Sequence, residues 1–504
     1  MQRPFSKTVF MLALLGVPTL WLAGVWIFDA VRVIAGCALL ALLFAPRVRS
    51  WIAPDIGRGC IAIIAAWVVA YFSLLVAHML ARLHLGMQGI DFAVFSQVID
   101  SIGRYGTPTG SLAAQAHLDN FLWHHFCPVL YAPGLLAAIG VSAPVAGVLV
   151  HAGGAAIGFG ALFATARRTL GSTVASGIVV AALLSSSVRP ELFWGLHDET
   201  FAIAFVGLAL LAWLRGHFGV AAVAALFTGT CKESFFPFMA WFAILALVFH
   251  GEFHPPESIG RARWAFGPLI PLGLLATLAY FFLQPQLVGK SFDHFDKLAS
   301  FDVLVSPRVL AEKLLYLGSV LIGSCGLGLL TKKGRIVLAT ALPLLGIVAI
   351  SGYSEMWRPF GYYALIPSFI GYFAAVVSLD TLRVRVPALV SVPAVIFAVS
   401  LSLSFTANLP LRDVISAAAE DGFSPTHLAW IPPDADVVAD PGAALALLRV
   451  GKLRRLYTVG QDSTPLPFDF VVFRPGGWEE LPENLRLITT PCHPSGNWVV
   501  RCPR

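Results

Sequence analysis

Apolar residues in this chain come in uninterrupted runs and rarely alternate with polar ones. Runs lie near residues 8–28, 30–45, 60–82, 143–166, 173–188, 199–214, 218–231, 234–250, 265–284, 309–330, 335–352, 360–379 and 387–406. A helix that is apolar all round is surrounded by lipid or protein, and one that crosses a bilayer takes about 20 residues. The runs therefore predict about thirteen transmembrane helices, with loose ends where a run is short. The first run follows Arg3 and Lys7, has no small-residue cleavage site, and is followed at once by a second. It reads as an uncleaved span rather than a signal peptide. No internal repeat stands out, which weighs against an inverted-repeat transporter.

Two segments break this pattern on what becomes the outer side. Residues 128–139 are apolar but short and contain Pro128 and Pro133. They predict a helix that lies in the outer interface or dips in partway. Residues 90–102 are apolar at 90, 94, 95, 98, 99 and 102, with Asp91, Gln97 and Asp100 off the stripe. That spacing predicts an amphipathic helix flat on the outer surface. The two fall in one long outer loop, 83–140, punctuated by glycines. After residue 406 the pattern becomes short and mixed: strand at 431–440, helix at 443–450, strands at 455–458 and 468–473. The fold class is thus an all-α polytopic membrane protein, residues 1–406, plus a small C-terminal α/β domain, residues 407–504.

Composition agrees. Of 504 residues, 57% are hydrophobic and 12% charged, against about 25% charged in a soluble domain. The net charge of +6 is not a nucleic-acid signal, because most Lys and Arg sit in short loops beside apolar runs. With the N-terminus inside, alternating spans put Arg167, Arg168, Arg215, Arg261, Arg263, Lys332, Lys333 and Arg335 in cytoplasmic loops. Asp91, Asp119, Glu191, Asp198, Glu199, Glu233 and Glu355 fall outside. The C-terminal domain is then extracytoplasmic, where Cys492 and Cys502 could pair.

Charge at membrane depth suggests function by default, and five clusters share the outer side. Asp91 opens the helix at 90–102, as an N-cap or as a functional carboxylate. His117, Asp119, His124 and His125 suit an interfacial belt; adjacent histidines point to different helix faces, so a shared metal is the minor reading. Arg189, Glu191, His197, Asp198 and Glu199 sit between two spans. Lys232 and Glu233 are squeezed between apolar runs, as a self-neutralising pair or as a cation poised for a phosphate. Glu355, Arg358, Tyr362 and Tyr363 form an aromatic anchor or a phosphate or sugar contact. No cofactor is specified, and a divalent metal is left open.

Asp91-Phe92 with Phe95 and Gln97, then His125-Phe126-Cys127-Pro128, His197-Asp198-Glu199, Lys232-Glu233 and Tyr362-Tyr363 occur in this order. A tail with Ile-Pro-Pro-Asp-Ala-Asp-Val and Pro-Phe-Asp-Phe-Val-Val-Phe follows. This resembles a prokaryotic family of predicted membrane proteins of unknown function, grouped with the GT-C superfamily of membrane glycosyltransferases that use polyprenyl-phosphate sugars. The resemblance covers roughly residues 65–480. It implies a multi-pass protein of the bacterial inner membrane, two juxtamembrane helices in the first outer loop, and a catalytic carboxylate there at Asp91. It also implies a lipid donor entering sideways, its phosphate meeting Lys232, Arg189 or Arg358. His197 and Glu199 join Asp91 as catalytic candidates. His125, Asp198, Glu233, Tyr362 and Tyr363 complete the substrate-binding set. Two departures stand out: Asp91 is a single acid where members often show a pair, and the stretch before Glu199 reads Gly-Leu-His-Asp. The alternatives are a transporter or lipid flippase, for which Glu312 and Lys313 within a span are the main signal, and a non-catalytic membrane scaffold.

Overall fold

A computed structural model describes residues 58–85, 87–112, 120–123, 125–185, 187–284, 306–322, 326–352, 354–357, 362–383, 425–448, 452–455, 468–473, 489–495 and 498–503, with a few isolated positions between them. The expected spans at 8–28, 30–45 and 387–406 lie outside the described residues, as do His117, Asp119, His124 and Arg358.

The helices in chain order are α1 (Arg58–His84), α2 (Ile90–Tyr105), α3 (Tyr131–Ala138), α4 (Ala143–Leu170), α5 (Ser172–Leu184) and α6 (Arg189–Trp194). Then come α7 (Asp198–Leu214), α8 (Phe218–Gly229), α9 (Phe235–Val248), α10 (His250–Phe253), α11 (Ile259–Phe266) and α12 (Leu269–Leu278). After these follow α13 (Pro307–Ile322), α14 (Lys332–Ala339), α15 (Leu342–Ile350), α16 (Leu365–Arg383) and, in the tail, α17 (Pro441–Ala446). Each apolar run within the described residues is helical. Three helical stretches among these residues are long and apolar enough to cross a bilayer: Ala143–Leu170, Pro256–Leu283 and Leu365–Leu382. The α14–α15 pair, bent by 55°, makes a fourth if it is one span. The other apolar helices are shorter because backbone breaks cut the runs. Gly216, with φ 77°, ends α7, and the turn at 230–234 separates α8 from α9.

The chain divides into two compact units. The first takes residues 153–193 and 198–409 together with the chain before 74. Its helices pack through small residues. A Cβ on Gly158 of α4 would lie 2.3 Å from Ile203 Cγ2 and 2.6 Å from the Ile203 carbonyl of α7. Only glycine lets these two backbones approach so closely.

The second unit takes residues 74–152, 194–197 and 410–504. Helix α2 forms where the periodicity predicts it, but it does not lie flat with one face open. Residues 92–99 are all buried. Helix α3 packs along it, with a Cβ on Gly134 only 2.3 Å from Ile102 Cγ2. Gln97, off the apolar stripe, is buried too. Its Oε1 accepts from the Leu112 N–H at 2.9 Å and its Nε2 donates to Ser111 Oγ at 3.0 Å. The loop at 107–112 is thereby fastened over the helix, which single-helix periodicity cannot anticipate.

The tail folds as a five-stranded sheet, order β2-β1-β3-β5-β4. The strands are β1 (Asp436–Ala439), β2 (Lys452–Arg455), β3 (Phe470–Phe473), β4 (Thr489–Ser495) and β5 (Trp498–Pro503). β2, β1 and β3 are parallel, and β5 and β4 add antiparallel. Val438, Phe468, Val471 and Phe473 form its core. The first three strands and the helix match expectation, with ends shifted by several residues. β4 and β5 are an addition. Pro491 and Pro494 argue against a strand in sequence, but β4 is an edge strand, where proline is tolerated. A disulfide joins Cys492 to Cys502 across β4 and β5. Helix α17 packs against α2.

Candidate functional site

The polar centre of the first unit is built on two helix junctions. Asp198 and Glu199 open α7, where carboxylates favour the positive end of the helix dipole; Asp198 Oδ1 accepts from the Glu199 N–H at 3.2 Å. Lys232 lies in the turn between α8 and α9. Its ammonium donates to Glu199 Oε1 at 2.5 Å and to Asp198 Oδ1 at 3.2 Å. Asp198, Glu199, Lys232 and Glu233 are each buried, none more than 7% exposed. The Tyr363 ring lies 5.1 Å from Lys232 Nζ, a cation–π contact on a third side. One cation thus meets two carboxylates and an aromatic face out of water, where such contacts are stronger than at a surface.

A narrow cleft with internal room of about 20 Å³ opens beside this group. Glu199, Ser234 and Tyr363 line it, and Phe235, Leu344, Ile347 and Ile366 form its apolar wall. A mostly apolar cleft with few polar groups suits a ligand with a hydrocarbon body and a polar head.

Arg189 begins α6 and is 2% exposed, a guanidinium in the interior. The Tyr362 side chain lies outside the described set. Among the described residues no three His, Cys, Asp or Glu side chains gather to hold a metal ion. Asp198 and Glu199 are engaged with Lys232.

In the second unit, Gly89 is the N-cap of α2, extended at φ −74° and ψ 169°. Asp91 is therefore not the cap. It lies in the first turn, exposed, immediately before the buried stretch 92–99. At the other end Gly106, at φ 71°, closes the helix with its N–H on the Ile102 carbonyl. His197 is buried in the short segment 194–197. That segment runs beside the start of α2: a Cβ on Gly195 would lie 3.9 Å from both Gln88 Oε1 and Phe92 Cδ2. His125 is half-buried near the Phe121 ring, 5.9 Å between centroids.

The sequence matches no family model and no curated protein. The structure is similar to that of ArnT from Cupriavidus metallidurans bound to undecaprenyl phosphate, with TM-score 0.54 and 12% identity. The match covers 88% of this chain and 98% of that one. The chain has the GT-C fold. Weaker likenesses are to ArnT in the apo state (TM-score 0.49, 14% identity, 87% and 98% covered) and to the Archaeoglobus fulgidus oligosaccharyltransferase (0.38, 12%, 80% and 69%).

The sequence pointed to Asp198, Glu199, Lys232 and Tyr363 but set Lys232 beside its neighbour Glu233. They come from three places in the chain. It missed the cleft wall at Phe235, Leu344, Ile347 and Ile366, because apolar residues in apolar runs carry no separate signal.

Proposed function

We propose that this protein is a membrane glycosyltransferase that moves a sugar from a polyprenyl-phosphate donor to an acceptor outside the cytoplasm. The observation that carries the reading is the buried Lys232–Asp198–Glu199 group at the polar end of an apolar cleft, in a chain with the fold of a protein solved with undecaprenyl phosphate. The apolar wall of the cleft faces the first part of the prenyl chain. Lys232, with Arg189 and Arg358, meets the phosphate, and Asp198 and Glu199 hold the lysine in place. His125, Glu233, Tyr362 and Tyr363 complete the donor and acceptor contacts.

Asp91 is the base, with His197 and Glu199 in support. It takes the proton of the acceptor hydroxyl as that oxygen bonds to the anomeric carbon and the bond to the phosphate oxygen breaks. The polyprenyl phosphate leaves as an anion, so no acid of the glycosidase kind is needed.

The topology belongs to the same proposal: about thirteen spans, N-terminus in the cytoplasm, C-terminal domain outside. The Cys492–Cys502 bond supports that side, since disulfides persist in oxidising compartments. The transporter reading loses its main signal, because Glu312 and Lys313 have local structural partners. Lys313 donates to the carbonyls of Ala349 and Ser351. Glu312 accepts from Arg308 and Trp357.

The test is Asp91→Asn in purified enzyme with a polyprenyl-phosphate sugar. Transfer should fall by at least about 100-fold, as for loss of a general base, with an unchanged melting curve. Undiminished transfer would falsify the assignment.

A further inference from the structure

Helix α13 makes a set of contacts that the transfer reading leaves unused. Its residues 309, 313, 316 and 320 form one face. Tyr316 and Val320 from this face join Val348, Trp357 and Ala364 in one buried cluster, with Val309 and Tyr363 packed on it. Polar contacts of the same helix grip the segment that follows α15. Lys313 Nζ donates to Ser351 O at 3.0 Å and lies 4.6 Å from the Trp357 ring. Trp357 Nε1 donates to Glu312 Oε2 at 3.0 Å. Tyr316 donates its hydroxyl to the backbone carbonyl of Tyr363 at 2.8 Å. Tyr363 in turn places its ring over Lys232 and lines the cleft with Glu199.

We infer that Tyr316 is a positioning residue: by fixing the Tyr363 peptide, it holds the aromatic ring that keeps Lys232 on Asp198 and Glu199. A phenylalanine would fill the same place in the cluster. The hydroxyl adds a directed bond to one carbonyl, and that carbonyl belongs to the residue whose ring touches the lysine. Ser351, Trp357 and Tyr363 are held at three points by adjacent turns of one helix.

The clamp can be read without a donor, through the reactivity of Lys232. The full chain in lipid nanodiscs is acylated briefly with an amine-reactive acetate ester, and the lysines are quantified by peptide mass spectrometry. Lys332, an exposed side chain at the start of α14, is the internal reference. Tyr316→Phe should raise Lys232 labelling about fivefold relative to Lys332, and Tyr363→Leu should raise it at least as much. The double variant should go no further than Tyr363→Leu alone, because coupled residues are not additive. Unchanged Lys232 labelling in Tyr316→Phe, or effects that add in the double variant, would overturn the inference. If Tyr316→Phe fails to fold, Trp357→Phe, which removes the bond to Glu312 and part of the ring packed on Lys313 and the cluster, must raise labelling in the same direction, and no rise overturns the clamp.

The consequence for turnover rests on the sugar-transfer reading. There, Tyr316→Phe should lower kcat about tenfold with donor KM little changed. A chain that shows the labelling pattern but transfers no sugar keeps the clamp and loses the transferase reading; a transferase whose Lys232 labelling ignores Tyr316 does the reverse.

Discussion

Lys232 shows what a single residue contributes here. Its ammonium is out of water, and so are both carboxylates that hold it. Removing one partner of such a group leaves uncompensated buried charge, which costs on the order of 3–5 kcal/mol. Lys232→Met should therefore lower stability strongly, and adding Asp198→Asn with Glu199→Gln should restore much of the loss. A melting series in detergent checks both; equal stability of Lys232→Met and wild type would mean that the carboxylates find other cations. In sequence, Lys232 stands beside Glu233, and a neighbouring pair is the simple reading. The structure directs it to residues 33 and 34 positions away. Nothing in the local pattern encodes that choice, because it depends on α7 and α8 lying side by side. Asp198 and Glu199 were legible as a charged helix start for a local reason: carboxylates belong at that end.

At the level of elements, apolar runs located the described helices well, because burial or lipid contact dictates composition along the whole length. They located breaks less well. Gly216 and the turn at 230–234 shorten helices that hydropathy alone would extend. Close contacts were invisible, since a glycine in an apolar run gives no hint of what faces it. Gly158 tests this. With Ile203 backbone and side chain inside the reach of a Cβ, Gly158→Ala should force α4 and α7 apart and cost about 1–3 kcal/mol, as overpacking does. Gly160, two positions on, meets nothing within 4 Å, so Gly160→Ala should be nearly neutral. Matching shifts in the melting temperatures of the two variants would contradict the packing described.

At the scale of the whole molecule, the second unit gathers stretches of chain far apart in sequence. The tail contributes α17 to the cover of α2, and β4 and β5 are joined by the Cys492–Cys502 bond. Reduction should destabilise the sheet by about 2–3 kcal/mol for so short a loop and quicken proteolysis between residues 425 and 503. Gel shifts after reduction and protease treatment of intact cells would check this, and a tail equally resistant with and without reductant would argue against the bond. Of the parallel strands, β1 and β3 were legible from their paired valines, whereas the proline-bearing edge pair was not.

Helix α2 has glycines at both ends, and its middle is enclosed on every side that 92–99 presents. Its two ends reach outward, the first turn carrying Asp91 and the last Arg104 and Tyr105. On the proposed transfer reading, the backbone beneath that carboxylate is already immobilised before any sugar arrives. Only the two torsions of a short side chain are left to freeze, so little conformational entropy is lost when an acceptor docks, and little reorganisation stands between docking and reaction.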